Sequence, residues 1–366
     1  MQKRVCHITS AHGRYDTRIF MKQCKSLSNN GYDVALIVND DKLAEMIDGV
    51  KIVPTDYKPK NRLERFFNSG KKILKKAIET NADIYHLHDP DLLPIGNKLK
   101  KMGKKVIFDS HEDVPMQIKD KQWIPALIRN IISKVYEGYE KSSVNRYDAV
   151  ISVTPHIVER FKAINPNAVM ITNYPNIDIS EEIVRNPASA IGFAGGITEQ
   201  YQHHNILKAI EDIDGLRYIL AGSVTNKYLN RLKSFSAWQK VEYLGRIPHN
   251  QVKDLYMKSL MGVAIHKSTQ LGREGSLGII KLFEFMEAKL PVICSDYTLW
   301  QEVIDEYKCG ICVDPNNIEE IKNAIEYIIN NPEEARNMGE NGRRAVIEKY
   351  NWGAQEALLL KLYETL

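Results

Sequence analysis

At 366 residues the chain is long for one domain and comfortable for two. Hydrophobic residues at 43% and charged residues at 26% are ordinary globular values, which allow a sizeable core and argue against wholesale disorder. A net charge of +4 is too small to imply nucleic acid. No window approaches about 18 uninterrupted apolar residues, and the amino-terminal run opens directly into a strand-like pattern, so neither a membrane span nor a signal peptide is expected. Five cysteines, an odd number, point to reduced thiols in a cytoplasmic protein. Cys309 and Cys312 form a C-x-x-C, but with no second pair nearby they read as two small residues on a buried strand.

Short β-branched runs alternate with helical patterns along the chain. In the first half the expected strands are RVCHIT (4–9), YDVALIV (32–38), DIYHLH (83–88), KKVIFD (104–109), YDAVISV (147–153) and AVMIT (168–172). Amphipathic segments at 18–29 and 61–80 lie between them. A polar stretch with two prolines, 171–189, reads as a linker. The pattern then repeats with AIGFAG (190–195), LRYILAG (216–222), KVEYLG (240–245), MGVAIH (261–266), PVICS (291–295) and GICV (310–313). Residues 332–366 read as helical throughout. Near-continuous apolar strands separated by helices predict two α/β, doubly wound Rossmann-like domains, at 1–180 and 181–349, with a last helix from about 350 returning to the first. Domains of this kind facing one another leave a cleft at the carboxyl ends of their strands, where ligands bind.

The stretch GREGSLGIIKLFEFMEAKLPVI (272–293) is the most informative. Lys281 and Glu284 are three apart and share a helix face, while Leu282, Phe283 and Met286 supply an apolar one. Gly275 and Gly278 permit tight turns before the helix. Backbone N–H groups with a nearby lysine suit a diphosphate, and a carboxylate one turn on suits a ribose diol. An i,i+3 salt bridge on a solvated face fits the spacing equally well.

KLFEFMEAKLPVICSD, with LWQEVI and CGICVDP after it, resembles the nucleotide-sugar site of the retaining glycosyltransferases of family 4, which have the GT-B fold. The resemblance covers nearly the whole chain: ITSAHGRYDTRIF, HLHDPDLLP, VIFDSHEDVP, GFAGGIT, LAGS, EYLGRI and the terminal YNW also fit, in order. It implies that Glu284 holds the nucleotide ribose and that Lys281 lies near the diphosphate. It places Gly195 and Gly196 against the phosphates, His111 beside the donor sugar, and Gly13 in a loop that approaches donor or acceptor. Gly222, Arg246, Lys267, Ser276, Gly278 and Ile280 complete the donor-binding positions, with His111, Glu274 and Lys281 as the catalytic candidates. Two departures stand out. The family's first acid should occupy position 276, which is Ser276, and the nearest acid, Glu274, is two residues early. After GGIT the family supplies an arginine or lysine, whereas this chain reads EQYQHHN, leaving His203, His204 or Lys267 as substitutes.

His86, His88, Asp89, Asp91, His111 and Glu112 could be taken for a metal cluster, but alternation along the strand sends the histidines and aspartates to opposite faces. They read as a polar rim, and the resemblance implies that neither metal nor cofactor is required. Basic residues interleaved with Phe66, Phe67, Ile73 and Leu74 at 58–76, lysines at 98–105, and Lys119, Lys121 and Trp123 suit an anionic membrane surface at the inner face, or a well-hydrated soluble helix.

The expected function is transfer of a sugar, with retention, from a UDP- or GDP-sugar to a glycan or lipid-linked acceptor in surface polysaccharide synthesis, by a cytoplasmic or peripheral enzyme. A nucleotide-sugar 2-epimerase of the same fold and a catalytically silent nucleotide-sugar-binding protein are the alternatives. A dinucleotide oxidoreductase is disfavoured, since the first turn reads TSAHGRYD and lacks G-x-G-x-x-G.

Overall fold

Every apolar run read as a strand forms one, within a residue or two at each end. The structure, a computed structural model, describes residues 2–60, 64, 69–111, 113–120, 124–178, 183, 185, 187–268 and 271–366. Phe66, Phe67, Glu112, Lys121, Trp123 and part of the polar linker lie outside the described residues. The chain divides into two units, Met1–Asn173 with Trp352–Leu366, and Tyr174–Asn351.

In the first unit, β1 (Arg4–Ile8), β2 (Asp33–Val38), β3 (Glu45–Ile47), β4 (Val50–Pro54), β5 (Ile84–Leu87), β6 (Lys105–Ser110), β7 (Ala149–Ser152) and β8 (Ala168–Met170) form one sheet, ordered β3-β4-β2-β1-β5-β6-β7-β8. All pairs are parallel except β3–β4. Parallel strands are covered on both faces, which is why β5 and β7 are buried at every position. The β3–β4 hairpin was not foreseen, because both strands are short and weakly apolar. Its turn, Asp48-Gly49, has positive φ at both residues (50° and 74°). That dipeptide is a hairpin signal the sequence does carry.

A wide helical turn, Ile19–Cys24, leads into α1 (Lys25–Asn29). There follow α2 (Gly70–Thr80), α3 (Leu93–Lys101), α4 (Val114–Asp120), α5 (Ala126–Val144) and α6 (Pro155–Lys162). Ile73 and Ala77 of α2 face inward. Among its lysines, Lys72 lies 4.5 Å over the Tyr57 ring and Lys76 pairs with Asp56. The described part of the basic segment thus buries Ile73 and Ala77 while Ile78 is 45% exposed.

The second unit repeats the plan. Its strands are β9 (Ala190–Ala194), β10 (Arg217–Ala221), β11 (Val241–Gly245), β12 (Met261–Ala264), β13 (Val292–Ser295) and β14 (Gly310–Val313), in the order β11-β10-β9-β12-β13-β14 and parallel throughout. They alternate with α7 (His203–Ala209), α8 (Asn226–Lys233), α9 (His249–Lys258), α10 (Lys281–Glu287), α11 (Thr298–Tyr307) and α12 (Ile318–Asn330). Cys309 is buried just before β14, and Cys312 within it lies 3.7 Å from Cys294. All five thiols are free.

The segment expected to be helical throughout is two helices, α13 (Pro332–Glu348) and α14 (Trp352–Glu364). The Asn351 side chain donates to the Val346 and Ile347 carbonyls at 3.0 Å each, satisfying the end of α13. The chain then turns, and α14 joins the first unit. There Trp352 Nε1 donates to Ser26 Oγ (2.9 Å), and Thr172 N–H donates to Gln355 Oε1 (2.8 Å). Trp352, Leu359, Leu362 and Tyr363 are buried, each side chain contributing about 1.5–3 kcal/mol of transfer free energy.

Candidate functional site

Leu282, Phe283, Phe285 and Met286 sink α10 into the core of the second unit and so fix where its remaining side chains project. Lys281 and Glu284 form an ion pair whose side chains are only 14% and 18% exposed. A pair on a solvated face would be far more open, so the simple surface-bridge reading fails. Tyr256 Oη, from α9, lies 3.3 Å from Glu284 Oε2 and 3.4 Å from the Ala194 carbonyl. Burial, then the Glu284 charge, pushes its phenol well above the usual range, so it stays a neutral donor.

The Lys281 stem crosses directly over Gly195: a Cβ at that glycine would sit 2.8 Å from Lys281 Cε. Gly195 N–H donates to the Ala221 carbonyl (2.9 Å), and Gly222 N–H to the Gly245 carbonyl (2.7 Å), which stitches together the carboxyl ends of β9, β10 and β11. Gly222 has φ +144°, and a Cβ there would overlap the Gly195 carbonyl. The structure thus brings Gly195, Gly222, Lys281 and Glu284 to one place. Gly196 follows Gly195 with room for a side chain, and Arg246 is exposed just after β11.

The loop before α10 turns at Gly275 (φ +79°), between Glu274 and Ser276. Ser276 is buried; its hydroxyl accepts from Gly278 N–H (3.0 Å) and its carbonyl from Trp300 Nε1 (2.9 Å). Glu274 has an exposed side chain, and its carbonyl accepts from Leu299 N–H. Ile280 opens α10, its carbonyl accepting from Glu284 N–H at 2.9 Å. Lys267 donates to Asn316 Oδ1 (2.5 Å) and lines a cavity of about 370 Å³ with Arg273, Asp296, Tyr297 and Asp314.

Both histidines offered as phosphate partners are bonded to tyrosines. His203 is fully buried on Tyr218 Oη (2.7 Å), and burial followed by His204 lowers it to about 3, so it is neutral at any physiological pH. His204 is held by Tyr228 Oη and is also pushed down, first by burial and then by Arg231.

In the first unit, His111 follows β6 and places Nε2 3.3 Å from Asp109 Oδ2. Asp109 is completely buried and takes a two-pronged bond from Arg18 (Nε 3.0 Å, Nη2 2.9 Å) and one from Gln23 (2.8 Å). Burial alone would raise its pKa; Arg18 and then His111 outweigh that and hold it well below the usual carboxylate range. His7, His86 and His88 stack beside it. His7 Nδ1 and His88 Nε2 are 2.8 Å apart, and His86 Nδ1 meets Tyr363 Oη at 2.8 Å. Burial leaves His88 neutral, with a pKa near 3.

Two trios among the described residues have ligand atoms within 4.8 Å of each other: His7, His86 and His88, and His88, Asp109 and His111. In the second trio the Asp109 carboxylate is already engaged. Arg18 already occupies the carboxylate from both sides, and its positive charge would oppose a second one. Asp89, once grouped with these histidines, instead accepts from Thr9 Oγ1 and Ser10 N–H (2.7 Å each) and pairs with His12 (3.3 Å). Asp91 accepts from Ser10 Oγ. Gly13, in the same loop, is exposed with open space around it.

Asp109, Arg18 and Tyr256 were missed at the level of sequence. Asp109 did leave a trace: an acid inside the otherwise apolar run VIFDS must find a partner once buried. Tyr256 left none.

The chain matches two family descriptions in tandem, Glycosyltransferase Family 4 over residues 17–179 and Glycosyl transferases group 1 over residues 178–345. Together the two matches run from residue 17 to residue 345, one domain to each sheet of a GT-B fold. An uncharacterized glycosyltransferase of Methanocaldococcus jannaschii is 26% identical over 66% of this chain and 65% of that protein, so the match spans just under two thirds of the relative's length. Among solved structures, sucrose-phosphate synthase from Thermosynechococcus elongatus has a TM-score of 0.78 at 17% identity, over 100% of this chain and 99% of that one. Anabaena HepE, in complex with UDP and glucose, has a TM-score of 0.71 at 12% identity over the full length of both chains. These GT-B likenesses establish the fold.

Proposed function

We propose that this GT-B chain is a retaining glycosyltransferase that moves a sugar from a UDP- or GDP-sugar to a glycan or lipid-linked acceptor in surface polysaccharide synthesis. One observation carries the reading: the half-buried Lys281–Glu284 pair lies against Gly195, where the β9, β10 and β11 ends converge. Such a place offers a diphosphate a cation and close backbone approach, and offers a ribose diol a carboxylate. The HepE neighbour, crystallised with UDP and glucose, supports a nucleotide-sugar as the donor class.

In the proposed step the bond from the anomeric carbon to the β-phosphate oxygen breaks. The acceptor oxygen bonds to the same face, and its proton passes to the leaving diphosphate. Charge grows on that diphosphate, so stabilising it is the main catalytic demand. Lys281 meets it, with Arg246 or Lys267 as the second cation, and no bound metal is used. His111, held by Asp109, positions the donor sugar. Glu274 takes the place of the acid that Ser276 lacks. The protein acts in the cytoplasm at the inner membrane face; no helix among the described residues is long and apolar enough to cross a membrane.

A second reading, nucleotide-sugar binding without turnover, is favoured by Ser276, whose hydroxyl and carbonyl are both committed to the fold. The decisive experiment incubates the purified chain with a panel of UDP- and GDP-sugars, with and without lipid-linked acceptors. Release of nucleoside diphosphate, with the product keeping the donor's anomeric configuration, supports transfer. Binding with no release under any condition supports the silent reading, and conversion of the donor with no acceptor supports an epimerase.

A further inference from the structure

A surface helix normally buries its apolar stripe and shows water its polar one. Helix α5 instead leaves an apolar stripe in water. Beside Val144 and Tyr136, which pack on the core, it buries Ser133, Glu140 and Ser143, all fully covered. Each has a partner: Ser133 Oγ donates to the Pro115 carbonyl (2.7 Å), Glu140 Oε2 accepts from Arg160 Nη1 (2.5 Å), and Ser143 Oγ accepts from Asn97 (2.9 Å). Outward it presents Leu127, Ile128, Ile131, Ile132, Val135 and Tyr139, with Leu127 92%, Ile131 60% and Val135 68% exposed. At about 100° per residue these six fall within an arc of about 140°, a continuous stripe rather than scattered side chains.

Charge says what covers it. Lys134 and Lys141 are exposed along one edge of the stripe, whereas Glu137 is the exposed acid of the helix, because Glu140 is buried on Arg160. Pairing two copies through this face would set lysines against lysines. An anionic bilayer instead receives the aliphatic side chains among its acyl chains and the lysines among its headgroups. Tyr139 adds a ring with a polar tip, the shape favoured at that boundary.

We propose that α5 is an interfacial docking helix that seats the first unit on an anionic lipid bilayer. This deepens the proposed function by naming the surface that meets the membrane, and it rests on that reading only for why a membrane should be met. The assignment places the membrane contact on α5 rather than on α2, whose Ile73 and Ala77 are internal.

The test is co-sedimentation of the full chain with vesicles of phosphatidylcholine alone or mixed equally with phosphatidylglycerol. The wild type should partition onto the mixed vesicles. Leu127→Ser with Ile131→Ser and Val135→Ser should reduce partitioning by about 100-fold or more, while UDP- and GDP-sugar binding and melting temperature stay as in the wild type. Lys134→Glu with Lys141→Glu should abolish the preference for phosphatidylglycerol. Wild-type protein that ignores both vesicles, or variants that bind as well as the wild type, would overturn the proposal. So would a wild-type dimer in sedimentation velocity that the serine variant dissolves. Because nucleotide-sugar binding is read separately, failure here leaves the donor site untouched, and failure there leaves the membrane contact untouched.

Discussion

Lys281 lies across Gly195, its Cε within 2.8 Å of where a Cβ on that glycine would stand. The glycine is therefore the floor on which the lysine stem rests, and the residue type at 195 controls where the ammonium points.

Gly195→Ala should leave the chain folded but push Lys281 aside, loosening its pairing with Glu284. The expected result is weaker UDP- or GDP-sugar binding by about 10-fold, in line with disturbing one charge-assisted contact. Titration calorimetry on the variant checks this. Gly222→Ala should behave differently, since its Cβ would meet the Gly195 carbonyl and its φ is +144°. That change should cost about 2–4 kcal/mol of stability, visible in urea denaturation.

The pair Arg18–Asp109 is bidentate and buried on both sides. Asp109→Ala strands a guanidinium and should destabilise the first unit by about 3–5 kcal/mol. Replacing both residues with leucine should cost clearly less than either single change. Equal losses in single and double variants would show that the two side chains are not coupled.

How much of this was legible depends on how local the cause is. Lys281 and Glu284 could be read because two charges interrupt an apolar helix at a helical interval, and Gly195 and Gly222 because each closes an apolar strand. The sheets could be read from continuous apolar runs. The Arg18–Asp109 pair could not, since its partners are 91 positions apart and meet only once β1, β5 and β6 lie side by side. The same alignment brings the His7 and His86 ring centres to 4.5 Å. The outward face of α5 was hidden for a related reason. Its sequence shows an apolar stripe, but Arg160 and Asn97, on other helices, decide that the opposite face is buried. Tyr256 near Glu284 has no sequence signal at all, because a tyrosine on a helix is usually core.

Acid should weaken the second unit through His203. In the folded chain its pKa is lowered from 6.5 to about 3, so the unfolded state takes up a proton that the folded state refuses. Its contribution is complete above pH 6.5 and is lost as pH falls from there towards about 3. His203→Gln, which keeps a polar partner for Tyr218, should flatten the fall in melting temperature across that window. His266, lowered to about 4 by burial, should keep part of the slope. An unchanged slope in His203→Gln would contradict the assignment.

The central claim is that Glu284 and Lys281 grip a nucleotide-sugar. Calorimetric titration of UDP- and GDP-sugars into wild type and Glu284→Ala tests it most directly. The account predicts saturable binding of at least one nucleotide-sugar to the wild type, weakened by about 10- to 100-fold in the folded variant. No binding to the folded wild type, or equal affinity in the variant, would contradict it.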